Sequence, residues 1–310
     1  MKTIARLAPL LAAEVLLLVV FRYWVPQFLA ADNLIDLAQQ ISINAVLAFG
    51  MTLVILIGGI DLSVGAVLAL VGTIAVWLLP RVGLVPAVSL ALLASAGFGL
   101  LNGLCSARTR MPPFIITLAT MLVARGSALR FNEGRPIAIP MTESAFLALG
   151  NERLRGVLPV PVVVMALAFV ATALLLHRTR FGQHLYAIGG NREAARFTGI
   201  ALARNETAVY VICATLAGLA GLVHASQLYS AEPASGQGFE LNAIAAVVVG
   251  GTSFTGGIGT IPGTLLGAII IGTLDKGLNQ AGVHYSLQYI VKGSVILAAV
   301  YLDVRRRGKS

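Results

Sequence analysis

Ten apolar runs dominate the chain, over 7–24, 41–57, 62–79, 84–104, 112–131, 160–176, 206–227, 241–257, 261–274 and 286–303. Most show no alternation of period two. That disfavours a β-barrel and predicts helices apolar on every side, which is how a chain satisfies its own backbone inside a bilayer. A span needs about 20 residues, so the predicted fold is all-α: one polytopic membrane helix bundle over 1–310 with about ten transmembrane helices, eight to eleven being the range. The runs 241–257 and 261–274 are short and flank the Gly-rich stretch 255–262. They read either as two spans or as a re-entrant pair.

The polar positions set the orientation. With the N-terminus in the cytoplasm and ten spans threaded, the inner segments hold 13 basic residues: Lys2, Arg6, Arg108, Arg110, Arg178, Arg180, Arg192, Arg196, Arg204, Arg305, Arg306, Arg307 and Lys309. The outer loops hold 5, namely Arg81, Arg135, Arg153, Arg155 and Lys276. Basic residues favour the cytoplasmic side, so both termini are expected there. Two loops are long: a charge-balanced outer one, 132–159, and an inner one, 177–205, the most polar stretch of the protein. The first apolar run resembles a signal peptide without a clear cleavage site and reads as an uncleaved first helix.

Composition agrees with the pattern. The chain is 57% hydrophobic and 11% charged, against about 25% charged in ordinary soluble domains. A net charge of +9 could suggest a nucleic-acid partner. The placement of the charges makes it a topology signal, with attraction to anionic membrane lipid, and no nucleic acid is expected.

The usual signatures of catalysis are missing from the sequence. Gly308-Lys309-Ser310 mimics the end of a phosphate-binding loop, but Asp303 stands where a glycine is needed. Gly257, Gly259 and Gly263 miss the dinucleotide spacing. His177, His184, His224 and His284 show no metal spacing, Cys105 and Cys213 suggest neither disulfide nor metal, and no serine sits in a nucleophile elbow. No catalytic residue, metal or cofactor is expected. The sequon at Asn205 falls on the cytoplasmic side and reads as chance.

Polar groups within the spans are the candidates for function. Arg125 and Lys292 are near enough to span ends to snorkel, or else face a partner helix or a wet cavity. Glu14 lies nearer mid-span with no evident partner. In the stretch 58–65, paired glycines precede Asp61 and Ser63. This is either a tight turn with Asp61 capping the next helix or a broken helix lining a polar path. Neutral groups at Asn44, Thr52, Asn102, Thr117, Thr120, Asn242, Thr252 and Ser253 suit an uncharged polar solute better than an ion. The candidate translocation path comprises Asn44, Thr52, Asp61, Ser63, Asn102, Thr117, Asn242, Thr252 and Ser253; many of these could equally bond neighbouring helices. Gly99/Gly103 and Gly263/Gly267 have the spacing of close helix packing.

A transporter without a nucleotide site uses an ion gradient or borrows hydrolysis from another subunit. Buried carboxylates for ion coupling are few. The inner loop offers a short helix over 191–198 after a turn at 188–190, with Asn191 as N-cap, Glu193 in the first turn and Gly199 as the stop. Such a helix is a handle for a soluble motor, or else a solvated linker.

Three blocks are familiar in combination: Phe49-Gly-Met-Thr-Leu-Val-Ile-Leu-Ile-Gly-Gly-Ile-Asp-Leu-Ser-Val-Gly65, Tyr186-Ala-Ile-Gly-Gly-Asn-Arg-Glu-Ala-Ala-Arg-Phe-Thr-Gly-Ile200, and Glu240-Leu-Asn-Ala-Ile-Ala-Ala-Val-Val-Val-Gly-Gly-Thr-Ser-Phe-Thr-Gly-Gly-Ile-Gly259. They resemble, in order and nearly end to end, the permeases of bacterial ABC importers for ribose and related sugars. The resemblance implies an inner-membrane transport subunit, not an enzyme, that moves a monosaccharide by alternating access. It implies three partners: a second permease copy, a cytoplasmic ABC ATPase and a periplasmic sugar-binding protein. The ATPase would dock on the segment holding Gly189, Gly190, Asn191, Glu193, Ala194, Ala195 and Gly199. The competing reading is an ion-coupled secondary carrier of a small polar solute.

Overall fold

The structure, a computed structural model, describes residues 2–109 and 111–307. Arg110, Lys309 and the motif at 308–310 lie outside the described residues. Each of the ten apolar runs forms a helix: α1 (Lys2–Trp24), α2 (Ala31–Leu56), α3 (Val64–Val82), α4 (Leu84–Arg108), α5 (Pro113–Arg130), α7 (Val160–Arg178), α10 (Leu202–Gln227), α11 (Phe239–Val249), α12 (Ile261–Gln280) and α13 (Tyr285–Arg307). Three short helices lie between them: α6 (Ser144–Asn151), α8 (Arg180–Gly190) and α9 (Arg192–Phe197). Among the described residues, eight helices are long and apolar enough to cross a membrane. α13, with 23 residues, matches α1 in length.

Only half of the possible re-entrant pair is short. α11 has 11 residues, about 16 Å of helix against a core of about 30 Å. It is preceded by the looped stretch 232–238, turned at Gly236 and Gly238 with φ +73° and +82°, which passes so close to α3 that the carbonyl of Gly236 touches Gly65. α12 is a full 20 residues and outruns its apolar stretch because the charges at its far end are matched. Asp275 pairs with Lys292 of α13 at 2.9 Å, and Lys276 donates to the carbonyl of Asn33 at 3.0 Å. α2 likewise starts ten residues before its apolar run, with Gln39 bonded to the carbonyl of Gly150 and Asn33 bonded to Gln280.

α2, α3, α10 and α12 form the buried centre, and α1, α4, α5 and α7 turn most of their apolar surface outward. Small residues let α4 and α10 meet backbone to backbone. A Cβ on Gly99 would lie 2.6 Å from Cα of Val211, and one on Gly103 would lie 2.6 Å from Cα of Thr207. Gly263 and Gly267 play the same part against Ala246 of α11 and Gly250 just after it. Both glycine pairs therefore pack helices, as their spacing predicts.

The loop 132–159 is folded rather than open. Strand β1 (Ile137–Ala138) pairs antiparallel with β4 (Ser230–Ala231), and β2 (Arg153–Leu154) pairs with β3 (Leu158–Pro159). α6 is stitched to the end of α10 by the buried Ser226 hydroxyl, which donates to the carbonyls of Phe146 and Leu147 while accepting from the amide of Gly150. Loops predicted on one side do meet: Arg153 approaches Asp36 at 3.6 Å, and at the opposite end Gly257 donates to the carbonyl of Leu56.

Candidate functional site

Two constructions hold most of the predicted residues. The first is the turn between α2 and α3. α2 ends at Leu56 beside the Gly58-Gly59 pair, and α3 begins at Val64 with Ser63, not Asp61, in the capping position. Asp61 instead folds the turn on itself: its Oδ1 accepts from the Ser63 amide at 2.9 Å and from the Ser63 hydroxyl at 2.6 Å. Asn102 of α4 donates to Ser63 Oγ at 3.0 Å and accepts from Thr120 of α5 at 2.6 Å. Thr117 donates to the carbonyl of Ile60 at 3.1 Å. Five residues from three places in the sequence thus form one buried polar group, with Asp61, Ser63, Asn102 and Thr117 at 0% exposure. Among the described residues no cation stands within ion-pair distance of Asp61.

The other path candidates lie apart from this group. Thr52 bonds Thr264 of α12 at 2.7 Å, a link between two central helices. Asn44 and Asn242 are half-buried on α2 and α11. Thr252 and Ser253 sit buried in the loop after α11, where the Ser253 amide donates to the carbonyl of Ile258 at 2.9 Å.

The second construction is the inner loop, and here the expected turn at 188–190 is overturned. Those residues are the last turn of α8, because Thr179 caps its start and Leu185 and Ile188 bury one face. α9 follows at once. Asn191 caps it, accepting from the Ala194 amide at 2.9 Å, and Gly199 stops it with φ +83°, as anticipated. Ala195 is buried and Glu206 of α10 holds Arg192 by a two-pronged ion pair, one arm at 3.1 Å. Glu193, Ala194 and Arg196 face solvent, and Phe197 is 89% exposed. Phe197 carries no signal in the sequence, because a lone aromatic among charges is uninformative until its burial is known.

α8 leans on the end of α2. Its Gly189 approaches the Leu56 carbonyl and Gly257 so closely that a Cβ would overlap both, while the amide of Gly257 caps that carbonyl at 2.8 Å. Tyr186 donates to the carbonyl of Gly259 at 2.7 Å. Burial pushes the Tyr186 hydroxyl pKa up, which keeps it a donor. The three sequence blocks, far apart in the chain, therefore meet at one point.

Intramembrane ionisable groups have partners rather than snorkelling freely. Arg125 donates to the carbonyls of Pro233 and Ser235 at 2.8 and 2.5 Å, and so clamps the stretch that precedes α11. Glu14 accepts from Thr273 at 2.8 Å. No group of three or more potential metal ligands occurs among the described residues.

A polytopic helix bundle with a half-length helix, a buried polar group and a structured inner loop belongs to the class of membrane permeases. Residues 33–300 match the family described as branched-chain amino acid transport system / permease component. The chain is 46% identical over 302 residues to the ribose import permease protein RbsC of Bacillus subtilis (strain 168), covering 97% of this chain and 93% of that one. It is 46% identical over 285 residues to RbsC of Escherichia coli (strain K12), covering 91% and 88%. Against the xylose transport system permease protein XylH of Escherichia coli (strain K12), identity is 33% over 363 aligned positions, covering 96% and 92%. No solved structure matches. The chain belongs to this permease family: it is a transport subunit and a multi-pass protein of the bacterial inner membrane.

Proposed function

We propose that this chain is the permease of an ATP-binding-cassette importer that carries ribose or a closely related monosaccharide into the cell. The observation that carries the reading is 46% identity over 97% of the chain to a ribose import permease. The family description mentions branched-chain amino acids, but the relatives cited above are sugar permeases. A solute held by hydroxyl and amide groups also fits the mostly uncharged path candidates better than an amino acid, whose two charges need counter-charges.

A separate cytoplasmic ATPase supplies the energy and docks on the outward face of α9. Glu193, Ala194, Arg196 and Phe197 make the contact; Gly190, Asn191 and Gly199 shape the ends of the helix; Ala195 and Gly189 face inward. An exposed aromatic beside an arginine is the usual composition of an interface anchor. A periplasmic sugar-binding protein delivers substrate at the opposite end, over 132–159. A second copy of the permease and membrane lipid share the apolar exterior of α1, α4, α5 and α7, and the path candidates provide polar groups, all but Asp61 of them amides or hydroxyls, between the two ends.

The test is reconstitution in vesicles with the cognate binding protein and ATPase. Uptake of labelled ribose that requires ATP and persists when ionophores collapse all ion gradients supports the reading. Gradient-driven uptake without ATPase would replace it with the ion-coupled carrier. Phe197→Ser should weaken ATPase docking by about tenfold or more, the loss typical of a truncated anchor.

A further inference from the structure

At the end of the bundle that carries α8 and α9, the last turn of α4 meets the first turns of α10 across an open groove of about 660 Å³. Sites for small ligands run from about 300 to 1,000 Å³. Leu104 and Arg108 of α4 line this groove together with Leu202, Arg204, Thr207 and Ala208 of α10. Both arginines are exposed, and among the described residues neither has an acidic partner within ion-pair distance. Glu206, two residues on from Arg204, is committed to Arg192. α10 has no acidic residue in its first turn and no side-chain cap. Two guanidinium groups therefore share one groove without a counter-charge from the chain, and the positive end of a 26-residue helix adds to their field.

The rest of the groove is apolar and leads into the membrane. Leu100 and Leu101 of α4 are half-exposed and precede Leu104 by four and three residues, so the three share a face that continues to Arg108. Along that face an apolar strip ends in positive charge, the complement of an acyl chain that ends in an anionic headgroup. We propose that the groove binds an anionic phospholipid, its phosphate held between Arg108 and Arg204 and its chain laid along Leu100, Leu101 and Leu104. Guanidinium groups fit phosphate oxygens in a two-pronged geometry, and basic pockets between membrane helices take such headgroups. A zwitterionic lipid offers the same phosphate, but its ammonium finds no acidic residue in the groove. The bound lipid bridges α4 and α10, the two helices that Gly99 and Gly103 bring together backbone to backbone. The site is separate from the exposed face of α9 and from the path candidates.

The test is native mass spectrometry of the complete chain in detergent micelles, titrated with phosphatidylglycerol or with phosphatidylcholine of the same acyl chains. One phosphatidylglycerol should bind ahead of any further lipid and more tightly than phosphatidylcholine. An arginine beside anionic lipid is worth about fivefold in affinity. Arg108→Gln and Arg204→Gln should each weaken that first binding by about fivefold, and the double variant by about 25-fold. Arg178→Gln removes an exposed arginine from the last turn of α7, outside the groove, and should leave it unchanged. Equal affinity for the two lipids, unchanged binding in the double variant, or a loss in Arg178→Gln as large as in Arg108→Gln overturns the site. Normal lipid binding with weakened ATPase docking or self-association in the double variant assigns the groove to that partner and overturns it as well.

Discussion

The polar group around Asn102 yields a quantitative prediction. Thr120→Val keeps the shape of the side chain and removes the donor that Asn102 Oδ1 accepts from at 2.6 Å. Asn102 is fully buried, so its oxygen is then left without water or a replacement donor. Such losses cost about 1–3 kcal/mol in soluble proteins, but interhelical bonds within membranes average about 0.6 and reach about 1.7 kcal/mol. For a 2.6 Å bond in a dry site we expect about 1–1.5 kcal/mol. Asn102→Ala removes both this bond and the one to Ser63, and leaves a small cavity, for about 2–4 kcal/mol. In that background Thr120→Val should cost almost nothing, because the hydroxyl has already lost its partner on α4 and keeps only the 3.1 Å contact with the carbonyl of Thr117. The double-mutant cycle should therefore show about 1 kcal/mol of coupling. Unfolding in mixed micelles can be followed by maleimide labelling of the buried Cys213, with the half-buried Cys105 changed to Ala. Effects that add to within about 0.3 kcal/mol would refute the bond between α4 and α5 and the polar group built on it.

Arg125→Met should leave the carbonyls of Pro233 and Ser235 without their donor and speed amide exchange across 232–238 by about tenfold, the effect of roughly 1.4 kcal/mol. Arg125→Lys should restore part of the protection, since an ammonium can still reach one carbonyl. Gly103→Val must push α4 off α10 and should cost about 1–3 kcal/mol in the same unfolding assay. Arg192→Ala strands Glu206, which is 3% exposed, and should free α9; tryptic cleavage after Arg196 should then quicken, while Glu193→Gln should leave it unchanged.

The apolar runs marked every membrane helix, because in a bilayer the length of an uncharged stretch is itself the physical requirement. The basic residues grouped the loops by side, and the loops so grouped do touch one another in the fold. Asn191 and Gly199 announced the ends of α9, since caps are local chemistry. The three blocks were recognisable as strings, and comparison with relatives bears out the family they suggested.

Helix ends escaped the sequence wherever a distant partner set them. α12 runs on through Asp275 and Lys276 only because Lys292 and Asn33 receive them, and α8 absorbs Gly189 and Gly190 because the end of α2 needs a neighbour without side chains. Nothing local distinguishes those glycines from a turn. The tertiary structure alone decided which polar residues act together: it gathered Asp61, Ser63, Asn102, Thr117 and Thr120 and left Asn44 and Asn242 aside. It also separated the exposed Phe197 from the buried Ala195 two residues before it. Hydrophobicity is a property that each residue carries with it, so the membrane class and the spans were present in the sequence. Partnership belongs to pairs of residues far apart in the chain, and only folding brings them together.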